Sequence, residues 1–460
     1  VMRERGGEGA RRGLRLVTWA MGLLCVALLS ARTARANGRF PATNHFVVRP
    51  GHPNDLVLRA TFGLLLSKDG GASWHWLCER GVGFSGAQDP PVVFTERGTL
   101  LLALFEGLAV SHKGGCDFAL AGGALARQVA VDATALPGEP DGALVLTGSY
   151  AGSDGGAARY RSALFVTRDG GRTFEALGKP LDPTLLVETV EIARSDPRRV
   201  YISAIRDGQG GPKGVLLVSD DGGRSFRERA VALEGEERAP FIAAVDPQQK
   251  ERVYLRTSGQ GEKRVLVTDD GGKTFRAVHR TRKGPAFALS PDGATVYVGG
   301  GPKGLLAASR ESLAFEPRAL FEVQCLFAEG EAVYACSNEA NGFLLGKSVD
   351  GGRTFRPLLR FAGIGGVLPC AADDQGSLHG LCAAEWPVLR QELALDTPAP
   401  AASAADGGGA ASAPVAAPRR CACHAAGAGP QGFAPEVAAL LAGAGALRRR
   451  RRVLPGRRPV

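Results

Sequence analysis

One stretch, Val265 to Phe275 (VLVTDDGGKTF), constrains this chain more than any other because it is repeated. An apolar run leads into Thr268, Asp270, Gly272 and Thr274 on alternate positions, and an aromatic ring closes it. The formula S/T-x-D-G-G-x-S/T-F/W recurs from Ser67 to Trp74, Thr167 to Phe174, Ser219 to Phe226 and Ser348 to Phe355, so five aspartates stand in register: Asp69, Asp169, Asp221, Asp270 and Asp350. Each copy reads as a hairpin turn in which the aspartate caps backbone amides, the glycine pair supplies positive-φ positions and the aromatic packs back onto the sheet. Repetition marks these carboxylates as structural, since a turn-capping role explains every copy while an active site needs only one.

The steps from Asp169 to Asp221 and from Asp221 to Asp270 are alike, whereas those from Asp69 to Asp169 and from Asp270 to Asp350 are much longer, so the first and last intervals each hold two units. The missing turns are degenerate copies. Gly107 to Phe118 keeps the strand, Ser111, the glycines and the aromatic, with Lys113 where the aspartate belongs; Gly304 to Phe315 keeps only the strand, Ser309 and the aromatic. That makes seven units. Each carries an earlier β-rich run, such as Val200-Tyr201, Val253-Tyr254, Val296-Tyr297 or Val333-Tyr334, and one unit parses into strands at 241–245, 252–256, 264–268 and 275–278. Four-stranded units with a period of about 40 to 50 residues imply an all-β fold, a β-propeller. Helical signals are nearly absent. Cys370 and Cys382 follow Cys325 and Cys336 at nearly equal intervals of about one unit, which suggests an eighth unit over 363–395 that lacks its outer strand. The stretch 38–44 would supply that strand and close the ring, removing an open edge. The expectation is a propeller of seven or eight four-stranded blades, eight being the number the cysteine spacing favours.

The repeated turn resembles the Asp-box, or BNR repeat, of sialidases, sortilin-type receptors, xyloglucan hydrolases and photosystem assembly factors. The resemblance implies a propeller and no particular reaction, because those families share the turn and differ in chemistry. A sialidase would add an arginine triad, a tyrosine nucleophile and an acid, with one arginine in an F/Y-R-I-P motif; here Arg39-Phe40-Pro41 is the sole echo and Gly38 stands before it.

The two ends differ from the body between them. Residues 1–36 hold seven Arg against two Glu and residues 396–460 nine Arg against three acids. Those surpluses of five and six exceed the total of +10, leaving the body with a net charge of −1 and no basic face for a nucleic acid. Arg3, Arg5, Arg11, Arg12 and Arg15 precede the apolar run Leu16 to Ala31, and Ala34-Arg-Ala36 fits a small-x-small cleavage site, so 1–36 reads as a secretory signal peptide. The propeller then spans 37–395, followed by a Pro/Ala/Gly-rich linker at 396–420, a Cys/apolar/Arg segment at 421–452 and a trailing tail at 453–460. Cys421, Cys423, the apolar Val437 to Leu447 and the block Arg448 to Arg452 resemble in that order the myxobacterial C-terminal sorting signal, MYXO-CTERM. That resemblance implies an exported protein first held at the inner membrane, positive side inward, then cut near the cysteines and passed to the cell surface.

Six cysteines remain in the body, and in an exported protein they imply three disulfides. Cys325 with Cys336 and Cys370 with Cys382 are expected as adjacent-strand staples, and Cys78 with Cys116 by elimination. The spacings offer no zinc site, and no GxSxG, HExxH, P-loop or dinucleotide fingerprint occurs, so neither metal nor cofactor is expected. Catalysis would fall to carboxylates near the starts of inner strands, Asp89, Glu188, Glu191 and Glu322, with His45 and Arg127 close by. The plainer account is that polar residues line a wet channel. The favoured reading is a monomeric, non-catalytic binding or scaffold module for a protein or glycan, anchored to the cell envelope by its tail. The alternative is a glycoside hydrolase or lyase acting on extracellular polysaccharide; an assembly factor of the photosystem type shares the repeat but needs no such tail.

Overall fold

Strand and turn alternate along the chain as the repeat requires. The computed structural model describes residues 40–84, 88–207, 211–371 and 377–395, and Cys25, Cys421, Cys423 and both terminal segments lie outside them. Seven antiparallel four-stranded meanders follow one another. Blade 1 is Thr43–Arg49, His52–Ala60, Gly63–Ser67 and Trp74–Leu77, and blade 2 is Val92–Phe94, Leu100–Ala103, Leu108–Ser111 and Ala119–Leu120. Blade 3 is Ala130–Ala135, Ala143–Asp154, Ala157–Thr167 and Glu175–Leu177, and blade 4 is Leu185–Ile192, Val200–Arg206, Lys213–Ser219 and Arg227–Val231. Blade 5 is Glu237–Val245, Val253–Gly259, Lys263–Thr268 and Arg276–Thr281, close to the strands read from the sequence. Blade 6 is Ala286–Leu289, Thr295–Gly301, Gly304–Ser309 and Glu316–Ala319, and blade 7 is Cys325–Glu329, Ala332–Cys336, Leu345–Ser348 and Arg356–Leu359. The first strand of each blade touches the first strand of the next, and blade 7 meets blade 1, so the ring closes at seven.

The core lies between blades. Leu144, Leu146, Leu164 and Val166 of blade 3 pack on Leu185, Val187 and Val190 of blade 4, and Tyr201 and Leu216 of blade 4 pack on Ile242 and Leu255 of blade 5. Middle strands are therefore covered on both faces, which is why they read as unbroken apolar runs such as LLLA and VLLV. Each fully buried leucine is worth about 1.5–3 kcal/mol relative to exposure.

The repeated turns link the third and fourth strands. In all five the hydroxyl of the first residue donates to the aspartate Oδ1 at 2.7–2.8 Å, and Oδ2 accepts the hydroxyl four residues on at 2.5–2.7 Å. That hydroxyl above all, with the turn amides, holds the carboxyls of Asp69, Asp221 and Asp270 at about 2. The second glycine of each pair carries two constraints. Its φ lies between 81° and 94°, and a Cβ there would stand 2.6–3.1 Å from a side chain of the preceding blade: Leu358, Val110, Leu164, Leu216 and Leu305 in turn. The motif thus shapes the turn and seats it on its neighbour.

Both degenerate turns form by other means. In blade 2 the carboxylate has moved to Asp117, whose Oδ1 takes Ser111 Oγ at 2.5 Å and the amides of His112 and Lys113 at 3.0 and 2.9 Å. In blade 6 Leu313 occupies the second-glycine position at φ 48°, held by its buried side chain.

The eighth blade does not form, because the chain after blade 7 returns to blade 1. Ile364–Val367 adds to Trp74–Leu77 as a fifth strand, parallel to it, with Ile364 opposite Trp74 and Val367 opposite Trp76. Ser377–Glu392 is a helix containing Pro387, where strands had been expected. Of the stretch 38–44 expected to close a shared blade, the described residues 40–44 form no outer strand: Thr43 and Asn44 begin Thr43–Arg49, the inner strand of blade 1 itself.

All six body cysteines form disulfides, and only one pairing is the expected one. Cys325 and Cys336 bridge adjacent strands of blade 7. Cys78 pairs with Cys382 and Cys116 with Cys370, correcting both Cys78–Cys116 and Cys370–Cys382. The reason is the returning strap: Cys370 follows the added strand and meets the turn of blade 2, while the helix brings Cys382 onto the end of blade 1. Trp386 packs 5.7 Å from Trp76, and Gly81 is needed because a Cβ there would lie 2.8 Å from the Cys382 sulfur. Among the described residues no helix is long and apolar enough to cross a membrane.

Candidate functional site

Inner strands line the central channel, and four of them are interrupted by a one-residue bulge, at Asn44, Val131, Glu188 and Ala243. A bulge re-aims the side chains beside it. The residue that follows turns toward the next blade: the His45 Nε2–H donates to Val92 O at 3.3 Å, Asp132 Oδ2 accepts Val190 N at 2.9 Å, and Thr189 Oγ1 accepts Ile242 N at 2.9 Å. These three polar side chains therefore join blade to blade around the lumen.

Two further charges complete the lumen. Glu191 takes the hydroxyl of Thr134 at 3.2 Å, and Arg256 extends from the second strand of blade 5 into the channel, within electrostatic reach of both Asp132 and His45. Protein encloses these groups while water reaches them through the channel. Desolvation drives the shifts. It lifts the Asp132 carboxyl to about 8, with the Glu191 charge adding to the effect, and it raises Glu191 as well. His45 is pushed down to about 3 by burial and by Arg59, so its imidazole is neutral.

The residues singled out from sequence disperse over the ring. Asp89 precedes the inner strand of blade 2 and accepts Asn44 Nδ2 at 2.9 Å, while Asn44 in turn accepts Arg59 Nε at 2.8 Å. Glu322 is a surface group paired with Lys283 at 2.9 Å and Asn338 at 3.1 Å. Arg127 is exposed at φ 60° in the crossover from blade 2 to blade 3. Glu188 and Glu191 share one strand, and Glu188, the bulge residue, has no hydrogen bond among the described residues. Its carboxyl is lifted by desolvation alone to about 8.

Sequence reasoning passed over Asp132 and Arg256. Asp132 interrupts the otherwise uncharged run AVDATA, a signal that was present; Arg256 sits on a second strand, where an inward reach has no local mark. It also passed over a long hairpin. The middle strands of blade 3 run 12 and 11 residues, against 4 to 9 in the other blades, and stand above the channel mouth opposite the repeated turns. Tyr150 and Tyr160 face each other across it with ring centroids 6.2 Å apart at 72°.

Among the described residues no group of three or more His, Cys, Asp or Glu is arranged to hold a metal. Two shallow grooves of about 440 and 320 Å³ lie between turns of blades 7 and 1 and of blades 6 and 7; none of the lumen charges lines them.

No family model matches the sequence, and no curated protein matches it. Solved structures do. An ancestral GH74 enzyme aligns over 68% of this chain and 46% of its own length, at 15% identity and TM-score 0.51. The extracellular domain of the hybrid two-component system BT4673 from B. thetaiotaomicron aligns over 66% of this chain and 37% of its own, at 12% identity and TM-score 0.44. YCF48, solved bound to D1 peptide, covers 50% and 67% at 16% identity and TM-score 0.33. The chain thus spans about half the length of the GH74 enzyme, and at these identities the likeness is one of fold.

Proposed function

We propose that this protein is an exported β-propeller that binds a protein or glycan at its channel mouth without turning it over. The observation that carries this reading is the use made of the acids around the channel. Asp132 is fixed by backbone amides, Glu191 by Thr134, Asp89 by Asn44, and Glu322 by Lys283 and Asn338, so each serves a seam between blades. Glycoside hydrolysis requires two working carboxylates across a cleft, and groups already engaged in holding the scaffold serve that role poorly. In this reading the repeated turns are Asp-boxes, 1–36 directs export, and 421–452 retains the chain at the inner membrane before release to the cell surface. Three disulfides in the body accord with an oxidising compartment. The protein acts as a monomer and needs no cofactor.

A second reading, glycoside hydrolase or lyase, draws on two features: the raised Asp132 carboxyl is an acid at neutral pH beside Glu191, and the raised Glu188 carboxyl, unlike the other channel acids, is not engaged by a hydrogen bond among the described residues. Screening the full chain for turnover of a polysaccharide panel, in parallel with glycan and peptide arrays, separates the two. Binding without turnover is expected. Turnover abolished by Asp132→Asn, Glu188→Gln or Glu191→Gln would replace the first reading with the second. Intact, uncut chain confined to the cytoplasm would refute the export and anchoring part.

A further inference from the structure

The hairpin of blade 3 has features that the propeller itself does not use. Beyond Gly148, whose amide donates to Val129 O at 3.1 Å, the strand edge from Ser149 to Asp154 has no backbone partner among the described residues, because the inner strand of blade 3 begins only at Ala130. The opposite edge is covered: Tyr160 N donates to Pro183 O at 2.8 Å and Leu181 N to Ser162 O at 2.9 Å. The hairpin is therefore clipped upright with one edge open, and that edge faces the space above the channel.

Its side chains say what fits there. Tyr150 and Tyr160 are cross-strand partners and so share a face, the one that packs on blade 4 through Leu164 and Val166. Tyr150 is 41% exposed. Below them on the inner strand of blade 4 stands Glu188, and Asp207 lies near enough, with Glu188, to act on the Tyr160 phenol. The other enclosed acids have a cation of their own: Glu237 bonds Arg264 at 2.6 Å, and Asp132 feels Arg256. Among the described residues no cation acts on Glu188. The tyrosine pair, Asp207 and the Glu188 carboxyl, on which no cation of the described residues acts, form a niche for a positive charge, which on binding would favour the ionised form of Glu188.

We infer that the channel mouth takes an extended segment of a partner polypeptide, its main chain added to the open edge at Ser149–Asp154 and a lysine or arginine side chain set between Tyr150, Tyr160 and Glu188. Strand addition supplies affinity through main-chain hydrogen bonds, and the pocket for one alternate side chain supplies selectivity. A strand on this edge continues the line of the inner strand of blade 3, and every second side chain points toward blade 4, on the tyrosine face.

This inference rests on the binding reading and selects a polypeptide as the ligand. The test selects binders to the full chain from a displayed library of random peptides, with a glycan array alongside, and measures their affinity for wild type, Glu188→Gln and Tyr150→Ala. The expected peptides hold Lys or Arg at one fixed position, lose tenfold or more on Glu188→Gln and several-fold on Tyr150→Ala, and lose as much when that residue becomes Gln. Free Nα-acetyl-lysine methyl ester, which cannot add a strand, binds at least a hundredfold more weakly; equal binding would refute the strand. Peptides without a basic position, peptides unaffected by both variants, or glycan binding at this mouth would overturn the inference and leave the binding reading standing. No binder of either kind would refute the binding reading itself.

Discussion

Removing the two disulfides that fasten the returning strap should cost more than the sum of removing each. Cys116–Cys370 closes a loop of 254 residues and Cys78–Cys382 one of 304. In the chain-entropy treatment, the first alone restricts the unfolded chain by about 5.5 kcal/mol and the second alone by about 5.7 kcal/mol. Once either exists, the other closes a much smaller ring, made of the segment 78–116 joined to the segment 370–382. That ring is worth about 4 kcal/mol. Either pair replaced by alanines therefore costs about 4 kcal/mol and both about 10 kcal/mol, whereas Cys325–Cys336, spanning 11 residues, costs about 3 kcal/mol. At roughly 2.1 cal/mol/K per residue over this body, about 4 kcal/mol corresponds to a Tm lower by about 5 °C. The assay is urea unfolding of the full chain followed by tryptophan fluorescence and far-UV circular dichroism, since Trp74, Trp76 and Trp386 report on the clasp. A doubly deleted protein within about 2 kcal/mol of wild type, the low end of what a single disulfide confers, would refute the account of ring closure. So would a larger loss from Cys325–Cys336 than from either clasp bond.

Other outcomes follow from the turns and the lumen. Asp270→Ala removes an acceptor of four hydrogen bonds and should lower stability by about 1–2 kcal/mol in the same assay; Asp117→Ala should cost as much, although blade 2 lacks the motif in sequence. Lys113→Asp should gain nothing, because Asp117 already caps those amides. The Glu188 carboxyl, raised from 4.5 to about 8, keeps a proton in the folded state that the unfolded chain releases, so its stabilising share is full below pH 4.5 and is lost as pH rises toward 8. Unfolding free energy should fall by about 1.4 kcal/mol per pH unit from this group between pH 5.5 and 7.5. Glu188→Gln should flatten that slope and be the more stable protein at pH 7.5; an unchanged slope would show that Glu188 is ionised in the fold.

What could be read from sequence follows the range of the interactions. The turn formula is local: a hydroxyl, a carboxylate and two glycines within one short segment specify their own geometry, and five copies fix the period of the sheet. The burial of both faces of the middle strands leaves an equally local mark. The strap depends on a parallel pairing between Trp74–Leu77 and Ile364–Val367, which lie near opposite ends of the described chain, and nothing in either segment names the other. The cysteine spacing that suggested an eighth blade came from a helix and a loop that happen to repeat the interval. Asp117 shows the same limit at short range, since a carboxylate displaced from its usual place in the turn satisfies the same amides. Among the channel acids, Asp89 and Glu322 looked equivalent to Glu188 because position in a unit does not tell whether a partner waits across the seam.

The placing of the fasteners bears on where a ligand can act. A ring whose first and last blades are each complete has no strand shared across its seam, so blade 7 is held to blade 1 by side chains and by the strap that follows it: Phe46 lies 5.7 Å from Phe327 and 4.9 Å from Tyr334, Thr43 Oγ1 donates to Leu344 O at 2.8 Å, and Ile364–Val367 pairs with Trp74–Leu77. Bonds between residues far apart in sequence restrict the unfolded chain most, and all three disulfides of the described residues fall in blades 7, 1 and 2 or in the strap that crosses them. Blades 3 to 6 carry none of the three; blade 3 directly follows the reinforced blade 2, and blade 4 lies farther round the ring. Between blades 3 and 4 the apolar core is supplemented by single polar side chains such as Asp132, Glu188 has no hydrogen-bond partner among the described residues, and a hairpin rises with an open edge. A desolvated acid without a partner and an open strand edge cost stability until something binds them, so this seam gains from a ligand what the scaffold does not supply.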